Sequence, residues 1–223
     1  MQRAETIEAA IRAEGFEVFG WLKRTSDIAF DGQSLVLIGN AGPEMYERFS
    51  SERDPGSDLL DDWTQDVLSH LSASLQAKVV FPFDQPHPPF LTWARLAKAG
   101  HPSPLGLNIH HRFGLWHGYR AAFMFDDEIP FQTAGDMASP CQSCVAKPCL
   151  STCLVNAFTS AGYDVSACAA HLSSPEGKPC RERGCLARLA CPVAPDYHYS
   201  AEQTKFHMVA FMKARGVDPA IVG

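Results

Sequence analysis

All eight cysteines of this chain lie between Cys141 and Cys191, and the residues before them contain none. A disulfide framework normally spreads its bridges through a small secreted chain that cannot build enough core. With 223 residues this chain can bury a sizeable core without such staples. The distribution therefore predicts a self-sufficient domain joined to a compact metal-binding segment. The stretch from Met1 to Thr6 runs into an amphipathic pattern containing acids and has no apolar leader segment. No stretch approaches the roughly 18 apolar residues of a membrane span. A cytoplasmic protein without membrane contact is expected. The net charge is −6, and the 19 lysines and arginines are scattered instead of clustered, so no nucleic-acid partner is expected.

The cysteines fall into two groups. Cys141, Cys144, Cys149 and Cys153 form C-x2-C-x4-C-x3-C; Cys168, Cys180, Cys185 and Cys191 follow, ending in Cys191-Pro192. A two-residue gap lets one tight loop bring two sulfurs to neighbouring irons. In bacterial two-cluster ferredoxins the fourth cysteine of a motif reaches the other cluster. Eight thiols are what two 4Fe–4S cubes require, and the same logic predicts crossed sets. Cys141, Cys144, Cys149 and Cys191 would hold one cube, and Cys153, Cys168, Cys180 and Cys185 the other. The middle gap of the first group is longer than the ferredoxin one, and Leu154 stands where that pattern has proline. Spacings of two and four also suit structural zinc, which stays open as an alternative. Zinc ribbons usually repeat a two-residue knuckle, and only one is present.

Along the rest of the chain, Ala4, Ile7 and Ile11 predict a helix over 3–14, and Phe16 to Leu22 a strand. Ser34 to Ile38 reads as a buried strand ended by Gly39, and Pro43 to Ser50 as a helix stopped by Pro55-Gly56. Ser57-Asp58 opens a long helix whose apolar stripe is Leu60, Trp63, Val67, Leu71 and Leu75. Strands are predicted over Lys78 to Phe83 and Leu115 to Phe125, helices over Leu91 to Lys98 and Ser200 to Ala214. This alternation predicts a layered α/β or α+β domain up to about residue 135. Loops and short helices around metal should follow.

The segment 141–192 resembles the C-terminal part of epoxyqueuosine reductases, whose two-cluster module also has a lone cysteine between its motifs, as Cys168 is here. Cys153-Leu-Val-Asn-Ala-Phe is similar to their C-P-T-x-A-I/L segment. Elsewhere the chain resembles the CblC-type cobalamin-processing proteins. Ile109-His110-His111-Arg112-Phe113-Gly114-Leu115-Trp116 is similar to their I-H-P-R-F-G-G-W, and the likeness continues through Arg120. Tyr199-Ser200-Ala201-Glu202-Gln203 is similar to R-Y-S-x-E-Q, and Gly15-Phe16-Glu17-Val18 to G-F-E-V. Departures are His111 for proline, Leu115 for the second glycine and His198 for an arginine that helps bind glutathione.

These resemblances imply an α+β fold: a nitroreductase-like core sheet with flanking helices over 1–138, and a loop-rich ferredoxin-like iron–sulfur module over 139–195. A helix over 196–223 would pack back on the core. They also imply a base-off corrinoid pocket near His110, Arg112, Phe113, Gly114, Trp116 and Arg120, with flavin as the other organic cofactor considered. The expected function is electron transfer through two 4Fe–4S clusters to a cofactor or substrate held by the core. Its enzymatic version is an oxidoreductase that uses or reduces cobalamin. An electron-donor protein or reductase is the expected partner, and a homodimer is expected because the related families often pair. Two alternatives remain: a ferredoxin-type electron carrier without a small-molecule site, and a zinc-stapled interaction protein.

Overall fold

A computed structural model describes residues 1–53 and 60–218. The fold is α+β. Up to residue 137 the elements are α1 (Gln2–Ala13), β1 (Glu17–Lys23), β2 (Ser34–Ala41), α2 (Glu44–Glu52), α3 (Leu60–Ser74), β3 (Lys78–Val80), α4 (Phe90–Leu96), β4 (His101–Pro102), β5 (Asn108–Ile109) and β6 (His117–Phe125). Then come α5 (Pro140–Ser143), α6 (Pro148–Ser151), β7 (Phe158–Thr159), β8 (Gly162–Tyr163), α7 (Val165–Leu172), α8 (Lys178–Arg183), α9 (Leu186–Leu189) and α10 (Ala201–Ala214). The chain divides into two units, one of residues 1–100 with 117–137 and one of residues 101–116 with 138–223. Among the described residues no helix is long and apolar enough to cross a membrane.

The first unit is built on an antiparallel sheet of order β1-β2-β6-β3. Strand β2 is central and buried on both faces: Leu35, Val36, Leu37 and Ile38 are fully covered, which is why its sequence reads as an unbroken apolar run. Val36 pairs with Trp21 on one side and Phe123 on the other. Gly39 was expected to end this strand, but β2 continues through it to Ala41. The pairing with β6 shifts register at Gly39, and a Cβ there would stand 2.1 Å from the Gly118 carbonyl oxygen. The glycine serves the close approach of two backbones at a bulge, not a chain stop.

Two other expectations are corrected. Helix α3 buries Leu60, Thr64, Leu68 and Ser72, while Trp63, Val67 and Leu71 are only half-buried. The buried line runs beside the apolar stripe, because small polar residues let the helix lie close to its neighbours. Strand β3 stops at Val80, short of Phe83. The Phe81 N–H donates to Asp84 Oδ2 at 2.8 Å, which turns the chain out of the ladder. The predicted stop at Pro55-Gly56 and start at Ser57-Asp58 lie outside the described residues.

The second unit has a small apolar core of Leu105, Ile109, Leu115, Ala187 and Cys191, with Cys141, Cys149, Cys153, Phe158, Cys185 and Val193 packed against it. This explains why residues 101–116, read from sequence as part of the N-terminal domain, group with the cysteines instead. The short hairpin β4–β5 supplies three of the five core residues, counting the segment that follows it. Helix α10 starts at an N-cap in which Ser200 Oγ accepts the Gln203 N–H at 3.1 Å. It packs on α8, so the C-terminal helix belongs to this unit.

Candidate functional site

Short helices deliver the thiols. Ser139 caps α5, its Oγ accepting the Cys141 N–H at 3.3 Å, and places Cys141 and Cys144 at opposite ends of one turn. Lys147 adopts a left-handed backbone and reverses the chain into α6, which carries Cys149. Asp164 caps α7 through the Ala167 N–H at 2.9 Å and so orients Cys168 one turn on. Gly184 at φ +86 ends α8, which carries Cys180, and hands the chain to Cys185.

No disulfide forms; all eight cysteines are free thiols. The charges they would carry as thiolates are felt in two separate sets. Burial pushes the Cys141 thiol up, and the neighbouring Cys191 and Cys144 push it further. Cys149 is raised by burial and then by Cys191, Cys141 and Cys144. In the other set, burial raises Cys168, Cys180 and Cys185; Cys153 adds to the first two, Cys168 to the last two, and Cys180 to Cys185. No thiol of one set raises a thiol of the other in these shifts. By these mutual effects Cys141, Cys144, Cys149 and Cys191 form one group, and Cys153, Cys168, Cys180 and Cys185 another.

Hydrogen-bond donors converge on these sulfurs. The Ala157 N–H reaches Cys153 Sγ at 3.3 Å, and the Tyr163 hydroxyl donates to Cys168. His171 Nε2 lies 3.8 Å from Cys180 Sγ. Backbone N–H groups of Arg188 and Ala187 serve Cys185, and that of Leu186 serves Cys180. Donors aimed at sulfur stabilise thiolate, and four mutually repelling thiolates require a cationic centre among them. The donor chemistry therefore fits an iron–sulfur cluster or another thiophilic metal. Among the described residues no group of three or more His, Cys, Asp or Glu side chains is gathered for a single metal ion.

The other sequence-predicted residues are divided. His110 to Gly114 form a tight turn closed by reciprocal backbone bonds of 2.8 and 2.9 Å. His110 is buried, its ring stacked on Phe113, and its Nδ1 accepts the N–H groups of Arg112 and Phe113 at 3.1 and 3.3 Å. Gly114 has φ +57, and a Cβ there would meet the Val193 carbonyl oxygen at 2.4 Å, so glycine is required twice over. Arg112 lies over the Phe113 ring and its Nε donates to the Tyr197 hydroxyl at 3.2 Å. Arg120 sits in the other unit, on β6, where its Nε donates to Asn40 Oδ1 at 3.0 Å and its guanidinium faces Asp61 at 3.5 Å. It borders a cavity with Thr64, Phe83 and Tyr119.

Trp116 alone of the predicted cofactor residues lines a second cavity, of about 360 Å³, which lies wholly within the cysteine unit. Cys168, Cys185 and Tyr163 border it at one end, and Arg188, Tyr199, His207 and Phe211 also line it. Sequence reading missed Arg188, His207 and Phe211, and marked Tyr199 only through a motif likeness. The available signal was the spacing of Thr204, His207 or Met208, and Phe211 on α10, one helical face.

No protein-family model matches the chain, and no curated protein matches it in sequence. Its fold is found in solved structures. An epoxyqueuosine reductase from Streptococcus thermophilus superposes with a TM-score of 0.51 at 12% identity, over 87% of this chain and 66% of that one. A C. elegans B12-trafficking protein CblC gives 0.54 at 16%, over 93% and 92%. An epoxyqueuosine reductase bound to an epoxyqueuosine-modified tRNA stem loop gives 0.52 at 14%, over 99% and 70%. The chain thus spans about two thirds of the length of these reductases, and its fold joins the two groups whose sequence motifs it resembles.

Proposed function

We propose that this chain is an iron–sulfur redox protein whose two quartets of thiols hold two 4Fe–4S clusters. Cys141, Cys144, Cys149 and Cys191 would hold one, and Cys153, Cys168, Cys180 and Cys185 the other. The observation that carries the reading is the crossed grouping of the thiols with hydrogen-bond donors directed at their sulfurs. Bound there, the clusters supply one-electron transfer at potentials set by burial and by hydrogen bonds to sulfur. The chain's own part is to hold the thiols in place, exclude water from Cys191, and direct Tyr163 and backbone N–H groups at sulfur.

The acceptor side is proposed to be a corrinoid contacted by the turn from His110 to Trp116. Support comes from the motif likeness and from sharing a fold with a B12-trafficking protein. His110 Nδ1 is occupied by two backbone N–H groups, so the role of His110 and Phe113 is to shape the turn. His111 and Arg112 are the exposed polar side chains this turn has to offer. Arg120 lies in the other unit and is not assigned here. The negative net charge favours a small-molecule or protein acceptor over tRNA.

The test is anaerobic purification with an absorption spectrum and assays of iron and sulfide. A brown protein with about eight irons and eight sulfides per chain is expected. A colourless protein carrying zinc would overturn the redox reading. Titration with cob(II)alamin then tests the acceptor side, which fails if the loaded protein neither retains the corrinoid nor shifts its spectrum.

A further inference from the structure

The first cysteine group departs from the two-cluster ferredoxin pattern at a place that cluster binding leaves unexplained. Four residues, Val145-Ala146-Lys147-Pro148, separate Cys144 from Cys149, where that pattern has two. Cys144 closes α5, and Lys147, at φ +38, turns the chain back into α6. The longer gap is spent on the surface: Val145, Ala146 and Lys147 are all exposed, Val145 at 95%. Leu150 and Leu154 are exposed as well, so three large apolar side chains stand in solvent within one ten-residue segment. Apolar side chains exposed singly are ordinary, whereas a group of them marks a surface that meets a partner.

The charge of this surface is equally distinctive. No Asp or Glu occurs from Met137 to Tyr163, and Lys147 is the one charged residue of that stretch. Its charge acts on the Cys141 thiol, which sets it beside the first quartet. The cysteine-bearing unit has nine Lys and Arg against six Asp and Glu, a net charge of +3. The other unit has ten against nineteen, a net charge of −9. The acidity of the chain thus belongs to the unit without thiols. Electron-transfer encounters use small contacts, and complementary charge steers the partners together.

From this arrangement we infer that the segment 144–154 is the docking surface for a small acidic one-electron carrier protein. Electrons enter through the quartet of Cys141, Cys144, Cys149 and Cys191. Val145, Leu150 and Leu154 supply the apolar contact, and Lys147 supplies the steering charge. A carrier with a reduced flavin meets this chemistry. One electron leaves its anionic hydroquinone, which becomes the neutral radical, and reduces the cube by one; no proton moves. The inference rests on the redox reading, because only a cluster gives such a carrier something to reduce.

The experiment is calorimetric titration of the full chain, purified anaerobically, with an acidic flavodoxin in its oxidised form, with iron and sulfide assayed on the same sample. The oxidised carrier has no electron to give, so the readout is association itself. Saturable one-to-one binding is expected, weakened about tenfold as salt rises from about 0.02 to about 0.3 M. Lys147→Glu should weaken it about tenfold and flatten its salt dependence, because it sets like charges against each other. Val145→Asp should also weaken it about tenfold, through lost apolar contact and an added acid. Leu91→Asp alters a leucine 69% exposed on α4, in the other unit, and should leave binding unchanged. Cluster bleaching by the flavodoxin hydroquinone, followed by stopped flow, should slow in the same order. Absence of saturable binding to a chain carrying its full iron overturns this inference and leaves the redox reading standing. So does equal weakening by Leu91→Asp, or undiminished affinity in both loop variants. A chain without iron overturns both.

Discussion

The grouping of the thiols gives a contrast that paired substitutions read directly. If the sets are crossed, Cys141→Ala with Cys191→Ala removes two ligands from one quartet and none from the other. Half of the iron should then go, leaving about four of about eight atoms per chain, and the surviving cube should keep an unperturbed signal in its reduced state. Cys149→Ala with Cys153→Ala instead takes one ligand from each quartet, so no intact four-thiolate site remains. A contiguous arrangement, with Cys141 to Cys153 holding one cube and Cys168 to Cys191 the other, inverts both outcomes. The structural basis is that Cys149 is raised by Cys191, Cys141 and Cys144, whereas Cys153 acts on Cys168 and Cys180. Iron and sulfide analysis with electron paramagnetic resonance of the dithionite-reduced proteins provides the readout. An intact cube in the Cys149/Cys153 pair and none in the Cys141/Cys191 pair would refute the crossed grouping.

Three further outcomes are expected. Tyr163→Phe removes the hydroxyl that donates to Cys168; losing about 1 kcal/mol of stabilisation of the reduced cluster should lower the potential on that quartet by about 40 mV and leave the other unchanged, as a redox titration would show. Leu68 on α3 is fully buried and Leu71 only half so, so Leu68→Ala should cost about 3 kcal/mol and lower Tm by about 6–12 °C, clearly more than Leu71→Ala. Equal losses would mean the buried face of α3 is misplaced. Burial, then the charge of Arg188, pushes the His198 imidazole below its ordinary range. The folded chain then holds it neutral where the unfolded chain takes up a proton. Its contribution is complete above the unfolded pKa of about 6.5 and is lost as pH falls below that. Tm should therefore drop between about pH 7.5 and about 5.5, and His198→Gln should flatten that drop; an unchanged slope removes His198 as its source.

Much of the local structure was legible in the residues. The α1 periodicity of Ala4, Ile7 and Ile11, the unbroken apolar run of β2 and the helix after Ser200 are all present, because each depends on interactions within a few residues of itself. Spacing and count also mark the eight cysteines as one chemical segment. What the sequence could not decide is which distant backbones come together. Gly39 looks like a stop until β6 is laid beside it with Gly118 at the contact. The likeness around His110 pointed to one cofactor pocket, yet the turn and Arg120 fall in different units, because Leu105, Ile109 and Leu115 pack on Ala187 and Cys191. Arg188 and Phe211 carry no signature in their own neighbourhoods, and Tyr199 carries only its motif likeness. Tertiary packing alone leaves the Arg188 guanidinium between two rings at the edge of a cavity that no acid among the described residues lines, because that juxtaposition draws on residues from positions 105 to 211.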